Sequence, residues 1–290
     1  MHRAADLRDR LVQQIESQGF GAHGVHVLVG EQSAEHHWRT PERRDIHSVA
    51  KGVCVLAAGI AADAGLVDLD EPIGRSLAAA GLDDRLGEGV AELGLRRLLN
   101  MTSGIDLPWT PTLLSDWPDL AREFLGRPSR GAVFQYSNAS TYTAMRLLGL
   151  AVGDVGEYVD RVLLAPLGIR GARWERCPNG YIAGGGGLAL STGELARIGR
   201  LIRDGGSWNG ERLVSARWPA AMHGEWVAAG ESPGYRRYAL AGWDGFGGTW
   251  RLHGAYGQLQ IHRGGTVVTI TADDHAGADP IARWVAAALD

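Results

Sequence analysis

The chain has 290 residues, 45% of them hydrophobic and 21% charged, with ten tryptophans. Such a chain can offset its ordering entropy by burial, which excludes a disordered protein. A formal net charge of −4 gives no electrostatic reason to expect nucleic acid or an anionic membrane as a partner. Two cysteines, Cys54 and Cys177, are too few for a disulfide framework or a structural zinc site. The longest apolar run, Val53 to Ala62, is about half of what a bilayer crossing needs. Arg3, Asp6, Arg8, Asp9 and Arg10 break up the amino end, so no secretory signal is visible and a soluble cytoplasmic protein is expected.

In chain order, Leu7, Leu11, Val12 and Ile15 recur at helical spacing within Ala4 to Gln18. Gly24 to Gly30 and Glu35 to Trp38 read as two strands joined by a short turn. Ser48 to Ala64 is nearly all apolar and small, the pattern of a helix buried on every side. Residues 68 to 180 read as helical, with loops at Pro108–Pro118 and Pro128–Gly131 and the clearest helices at Ala144–Gly153 and Glu157–Leu164. Gly184 to Gly187 is a glycine-rich turn; a helix over Thr192–Asp204 follows, capped by Ser191 or Thr192. Strands return at Tyr238–Trp243, Thr249–His253, Gln258–Arg263 and Thr266–Thr271, and a last helix spans Pro280–Leu289. With strands at both ends, the simplest packing is α/β: one antiparallel sheet flanked by terminal helices, with an inserted helical lobe. The expected division is a sheet lobe of residues 1–67 and 181–290 and a helical lobe of 68–180.

Lys51 is the sole lysine among 29 basic residues. Arginine cannot be deprotonated under protein conditions, whereas a lysine amine can if its surroundings lower its pKa. Lys51 stands three residues after Ser48 in Asp45-Ile-His-Ser48-Val-Ala-Lys51, and on a helix i and i+3 share a face. At a helix start the dipole stabilises a developing oxyanion and disfavours an ammonium; burial beside Val49, Val53 and Val55 lowers the amine pKa further. An accident of a short pattern would put the only lysine there in roughly one case in twenty. A second constellation, Phe134-Gln-Tyr136-Ser-Asn138, offers a phenol that can relay a proton and an amide that can orient a carbonyl; the plainer reading is a loop with Asn138 as a helix cap.

Together, Ser-x-x-Lys and Tyr-x-Asn resemble the motifs of the penicillin-recognising serine enzymes: class C β-lactamases, D-alanyl-D-alanine carboxypeptidases and β-lactamase-like esterases. Leu98-Leu-Asn-Met-Thr-Ser-Gly104, Leu164-Ala-Pro-Leu-Gly168, Gly184 to Thr192, Gly254-Ala-Tyr-Gly-Gln258 and Val267-Val-Thr-Ile270 resemble further family segments, in the expected order from about Gly24 to Thr271. The resemblance implies a β-lactamase/transpeptidase-like fold with the active site between the lobes. It implies Ser48 as the acylated nucleophile, Lys51 as proton acceptor, Tyr136 as its partner base and proton donor to the leaving group, and Asn138 as a substrate anchor. Base assignment between Lys51 and Tyr136 stays open. The oxyanion hole would use the Ser48 N–H and another from the strand at Gly254, Ala255 or Tyr256.

One motif departs from the family. Where Lys-Thr-Gly is usual the chain reads Arg251-Leu-His253-Gly254-Ala, so His253, or Arg251 if it faces the cleft, would stand in for the lysine. Recognition of an anionic β-lactam is not expected; a small neutral ester or amide fits better. The expected activity is therefore acyl transfer through Ser48, as an ester or amide hydrolase. The alternatives are a biosynthetic transacylase with an amine acceptor and, last, a silent binding or sensor protein. No cofactor or metal is called for: His36-His37 reads as a strand pair pointing to opposite faces. Gly184–Gly187 lacks the rest of a phosphate loop and reads as tight backbone packing. Trp109, Trp117, Trp226 and Trp243 are assigned to packing ahead of substrate contact, and Cys54 to an inert place in the buried helix. The partners expected are a small acyl donor and water or an amine; with no export signal, cell-wall crosslinking is not expected.

Overall fold

A computed structural model describes residues 3–107 and 119–290. Helix α1 (Arg3–Gln18) buries Leu7, Leu11 and Ile15 on one face, as their spacing predicts. That face packs on the hairpin of β1 (Ala22–Val29) and β2 (Gln32–His37). After β3 (Arg44–Asp45), a 3-10 turn over His47–Val49 runs directly into α2 (Ala50–Asp63). All of α2 except Ile60, Ala62 and Asp63 is buried, and the absence of a polar stripe is what its sequence announces.

The next segment holds α3 (Gly74–Ala79), α4 (Leu95–Leu99), α5 (Leu120–Leu125), α6 (Asn138–Val152) and α7 (Val155–Val159), the last running into a π turn over Asp160–Leu164. These helices are shorter and more widely separated by irregular chain than the sequence suggests. The loop expected at Pro108–Pro118, with Trp109 and Trp117, lies outside the described residues. Helix α6 begins at Asn138 rather than Ala144 because its first turns bury hydroxyls: Ser140, Thr141 and Thr143 all face inward, and Ser140 donates to the Leu98 carbonyl at 2.7 Å. Polar residues that point inward hide a helix from a reading based on apolar period.

Strands β4 (Arg173–Trp174) and β5 (Leu188–Leu190) join β3 in a small antiparallel sheet. Helix α8 (Thr192–Arg203) starts at a capping box: Ser191 accepts from the Glu194 N–H at 3.3 Å, and Glu194 accepts from the Ser191 N–H at 3.0 Å. A short hairpin, β6 (Ser207–Trp208) and β7 (Glu211–Arg212), and helix α9 (Arg217–Ala221) follow. The chain then lays down β8 (Val227–Ala228), β9 (Arg237–Tyr238), β10 (Trp243–Asp244), β11 (Trp250–Gly254), β12 (Gln258–Arg263) and β13 (Thr266–Ala272), and closes with α10 (Ala278–Ala288). The strand expected over Tyr238–Trp243 is two strands, because Ala241 takes a φ of 66° and turns the chain back on itself.

The main sheet has eight strands among the described residues, in the order β2-β1-β13-β12-β11-β10-β9-β8, every pair antiparallel. Sequence ends meet at its centre, where Val27 pairs with Val268. One face is covered by α1 and α10 over Val25, Val27, Ile261 and Val268; the other joins a larger core with α2 at its middle. Each fully buried Leu or Ile in these cores contributes about 1.5–3 kcal/mol. The architecture is the expected α/β sheet with terminal helices on one face and helices on the other. Among the described residues no helix is long and apolar enough to cross a membrane.

The two faces of β11 matter most for the site. Leu252 reaches the Gly52 turn of α2 and belongs to the larger core, whereas Arg251 and His253, alternate residues on a strand, leave from the opposite face.

Candidate active site

Ser48 lies in the middle of the 3-10 turn that feeds α2, partly exposed at the end of an otherwise buried helix. The turn is held tightly. His47 adopts a φ of 48°, a left-handed conformation that few residues other than glycine take. Asp45 supplies one constraint: its Oδ1 accepts the His47 N–H and the Gly187 N–H, each at 2.8 Å, tying the turn to the glycine-rich segment.

Three residues on, Lys51 is 2% exposed. Its Nζ is 3.0 Å from Ser48 Oγ, 2.7 Å from Asn138 Oδ1 and 2.7 Å from the Gly185 carbonyl. Burial lowers its pKa to about 7, so a large share of the amine is uncharged at neutral pH. An uncharged amine has two N–H groups and one lone pair. Two of its contacts are to atoms that only accept, so both protons go there, and the lone pair is left for the Ser48 O–H.

Asn138 opens α6 and serves Lys51 through its amide oxygen, which leaves the NH2 group for a ligand. The Gly185 carbonyl reaches the amine because residue 185 has no side chain: a Cβ there would sit 2.7 Å from Asn138 Oδ1. The tight packing read from Gly184–Gly187 thus has a purpose. Tyr136 presents its ring to Lys51, with Nζ 4.8 Å from the ring centroid. Burial pushes the Tyr136 phenol up to about 12, and the hydroxyl sits close enough to the Ser48 side chain for hydrogen bonding there to oppose the rise. The sequence left two bases open; in this environment Lys51 has the pKa of a base at neutral pH and Tyr136 that of an acid.

The third wall is the free end of β11. Pairing with β10 stops at Arg251, so residues from Leu252 onward form an open edge. A Cβ on Gly254 would be 2.6 Å from the Ile46 carbonyl, so only glycine lets this edge lie against the turn that carries Ser48. Ala255 and Tyr256 follow immediately, Tyr256 half-exposed with a φ of 57° and its N–H directed to His275 Nδ1 at 3.3 Å. His253 does not bond Ser48 or Lys51. Its Nδ1 lies 2.6 Å from the Tyr235 hydroxyl. Arg251 turns away from the cleft altogether, fully buried and paired with Asp279 of α10 at 2.9 Å, so it does not stand in for the family's lysine.

Aromatic and imidazole rings connect the two ends of the site. Tyr136 contacts Trp243 (5.4 Å between centroids), which contacts Tyr235 (5.3 Å), which contacts His253 (5.5 Å). From there contacts run through His275 (6.5 Å) to Tyr256 (6.4 Å) and back to His47 at 5.1 Å, the residue before Ser48. Sequence reasoning assigned Trp243 to packing, took Gly185 only as part of a tightly packed glycine run, and did not pick out Asp45, Tyr235 or His275. Only Asp45 carried a local signal, as an Asx-type partner two residues before His47. Trp226 packs under Arg237 at 5.2 Å. Cys54, fully buried with its thiol near the Gly184 carbonyl at 3.4 Å, is pushed up to about 12 by burial, in keeping with an inert role. Among the described residues no group of three His, Cys, Asp or Glu side chains could hold a metal ion.

A serine at the root of a buried helix, a lysine one turn on, and a tyrosine and asparagine from a second element, all between a sheet edge and a helical layer, define the class of the penicillin-recognising fold. The chain belongs to the Beta-lactamase family, whose sequence profile matches residues 8–289. No curated protein sequence matches the chain. Among solved structures it is similar to SurE with D-Leu (TM-score 0.76, 18% identity, 99% of this chain and 74% of that one). It is also similar to a D-stereospecific amidohydrolase from Streptomyces sp. (TM-score 0.72, 18% identity, covering 92% and 94%). A D-amino acid amidase from Ochrobactrum anthropi SV3 complexed with L-phenylalanine is a third (TM-score 0.74, 16% identity, covering 98% of each). At these identities the likeness is one of fold.

Proposed function

We propose that the protein is a serine acyl-transfer enzyme that opens a small neutral ester or amide through an acyl-enzyme on Ser48. The observation that carries this reading is the buried amine of Lys51, with two acceptors taking its protons and its lone pair left for Ser48 Oγ at 3.0 Å. Ser48 Oγ attacks the carbonyl carbon as its proton passes to Lys51 Nζ. The Ser48 N–H and the Ala255 N–H serve as the two oxyanion donors in this reading, which the close approach of Gly254 to the Ile46 carbonyl supports. Tyr136, protonated at neutral pH, donates to the departing alcohol or amine, and Lys51 returns its proton to the phenolate. Water then attacks the ester on Ser48 by the same path in reverse, releasing the acid.

In this reading Asn138, whose amide oxygen is taken by Lys51, holds the acyl chain with its NH2 group. The names of the structural relatives, a D-stereospecific amidohydrolase and a D-amino acid amidase, support amides among the substrates. A second reading, transfer of the acyl group to an amine acceptor, uses the same intermediate. It is favoured by the aromatic run of Tyr136, Trp243 and Tyr235, which gives an organic acceptor a surface that water does not need.

Incubation with 4-nitrophenyl butyrate, followed by intact-mass measurement, tests the reading. A mass gain of one butyryl group on the parent and none on Ser48→Ala is expected. Added amines then separate the two outcomes: amide product outpacing butyrate identifies a transacylase. An unacylated Ser48, or turnover by Ser48→Ala and Lys51→Ala equal to the parent, would overturn it in favour of a binding protein.

A further inference from the structure

A cavity of about 470 Å³ lies between the end of α3, the last turns of α6, the start of α7 and residues 176–182. Sites for small ligands span about 300–1,000 Å³. The lining shares no residue with the group formed by Ser48, Lys51, Tyr136 and Asn138. Asn138 opens α6, and Gly149 reaches the cavity three turns later, about 16 Å along the helix. Met145, Leu150, Val155 and Ile182 give the cavity an apolar character. Leu150 and Tyr181, which also line it, are 46% and 40% exposed.

Gly149 is an odd residue to find there. Glycine destabilises a helix interior relative to alanine, so packing normally has to demand it. In α2 packing does: a Cβ on Gly52 would stand 2.7 Å from Leu252, and one on Gly59 2.5 Å from Trp218. At Gly149 nothing does. Outside its own helix an added Cβ would meet Val155 Cγ2 at 3.5 Å, an ordinary contact, and the residue has no positive φ to require glycine. The missing side chain serves the cavity and not the packing of α6.

Arg146, one turn earlier, lines the same cavity with a side chain only 9% exposed. A guanidinium carries five N–H donors. Nη1 donates to Asp119 Oδ1, and one face lies on the Tyr181 ring at 4.7 Å; Nε and Nη2 have no hydrogen-bond partner among the described residues. Nor does Asp119 belong to Arg146 alone, since the same Oδ1 caps α5 by accepting the Ala121 and Arg122 N–H groups at 3.1 and 3.2 Å. The other guanidinium of the lining, Arg176, is already matched. Asp154 takes two of its bonds, at 2.7 and 2.9 Å, and the Gly180 carbonyl a third at 2.6 Å.

We propose that this cavity binds a small carboxylic acid with an unbranched apolar tail. The carboxylate accepts from Arg146 Nε and Nη2 in the parallel two-bond arrangement a guanidinium offers, and the tail lies along Leu150 and Val155 over the space left by Gly149. A single negative charge suits the site because one guanidinium, not two, is short of acceptors. The inference does not rest on acyl transfer through Ser48.

Isothermal titration calorimetry on the parent compares octanoate, octanamide and octylamine. Octanoate is expected to bind about tenfold tighter than octanamide, the worth of hydrogen bonds to a charged group, and octylamine to bind weakest. Labelling with methyl-13C methionine locates the ligand: the Met145 signal, assigned by its loss in Met145→Leu, should shift when octanoate is added. Gly149→Leu fills the space with a good helix former; it should keep the parent's circular dichroism and lose at least tenfold in octanoate affinity. Arg146→Gln should bind octanoate and octanamide alike. Equal affinities of the parent for octanoate and octanamide, a Met145 signal that octanoate leaves in place, or undiminished octanoate binding by Gly149→Leu would overturn the proposal. Failure of 4-nitrophenyl butyrate to acylate Ser48 would overturn the catalytic reading alone.

Discussion

Lys51 carries its proton, when it has one, into a space where the atoms in contact are a hydroxyl, an amide oxygen and a carbonyl. Burial lowers its pKa from an ordinary lysine value to about 7. Two consequences follow with definite signs. The proposed acyl transfer through Ser48 requires the neutral amine, so kcat/KM should rise with pH through about 7 and level off above it; Lys51→Arg, permanently charged, should lose about 10²–10⁴-fold. Stability follows the same group. Between about 7 and the unfolded-state value near 10.4 the unfolded chain binds the extra proton, so this residue's contribution rises with pH across that window. Below about 7 both states are protonated and the burial penalty is felt in full. Urea unfolding should therefore show the parent gaining on Lys51→Met between pH 7 and pH 9; a constant difference would mean that the amine is not desolvated. The pairing of Ser48 with Lys51 was legible in the sequence because an i,i+3 relation is local. The Gly185 carbonyl, 134 residues from Lys51, was not.

At the scale of elements, the site depends on how closely β11 lies against the turn before α2. The Ile46 carbonyl stands 2.6 Å from where a Gly254 Cβ would be, and His47 Cβ 3.2 Å away. Gly254→Ala should push the strand edge from the turn that carries Ser48 by a fraction of an ångström and move the proposed second oxyanion donor with it. We expect kcat to fall about 10²-fold, and stability in urea to fall by about 1–3 kcal/mol, the cost of forcing a methyl against backbone. Steady-state kinetics beside a denaturation curve would check both halves. Element by element, α8 was readable because its capping box and its amphipathic face are written in consecutive residues. The first turns of α6 were not, because Ser140, Thr141 and Thr143 point inwards, Ser140 to the Leu98 carbonyl and the two threonine hydroxyls without a hydrogen-bond partner among the described residues. The turn at Ala241, with its positive φ, carries no glycine to mark it.

At the scale of the molecule, the sheet is stitched to its terminal helix by a buried charge. Arg251, from the middle of β11, pairs with Asp279 at the start of α10. Removing the carboxylate alone, as Asp279→Ala, strands the guanidinium; we expect a loss of about 3–5 kcal/mol in urea unfolding, most of it recovered when Arg251→Met is added. A loss equal in the single and double variants would place the cost elsewhere in α10. By itself the sequence determined the antiparallel sheet built from both ends of the chain, the buried helix behind Ser48 and the spacing that sets Lys51 beside it. Period and spacing are properties of neighbouring residues and survive without the fold. What joins β11 to α10, brings Trp243 against Tyr136 and links His253 to Tyr235 are contacts between residues apart in the chain. Those exist only once burial has brought them together and removed the water that would otherwise satisfy each group alone.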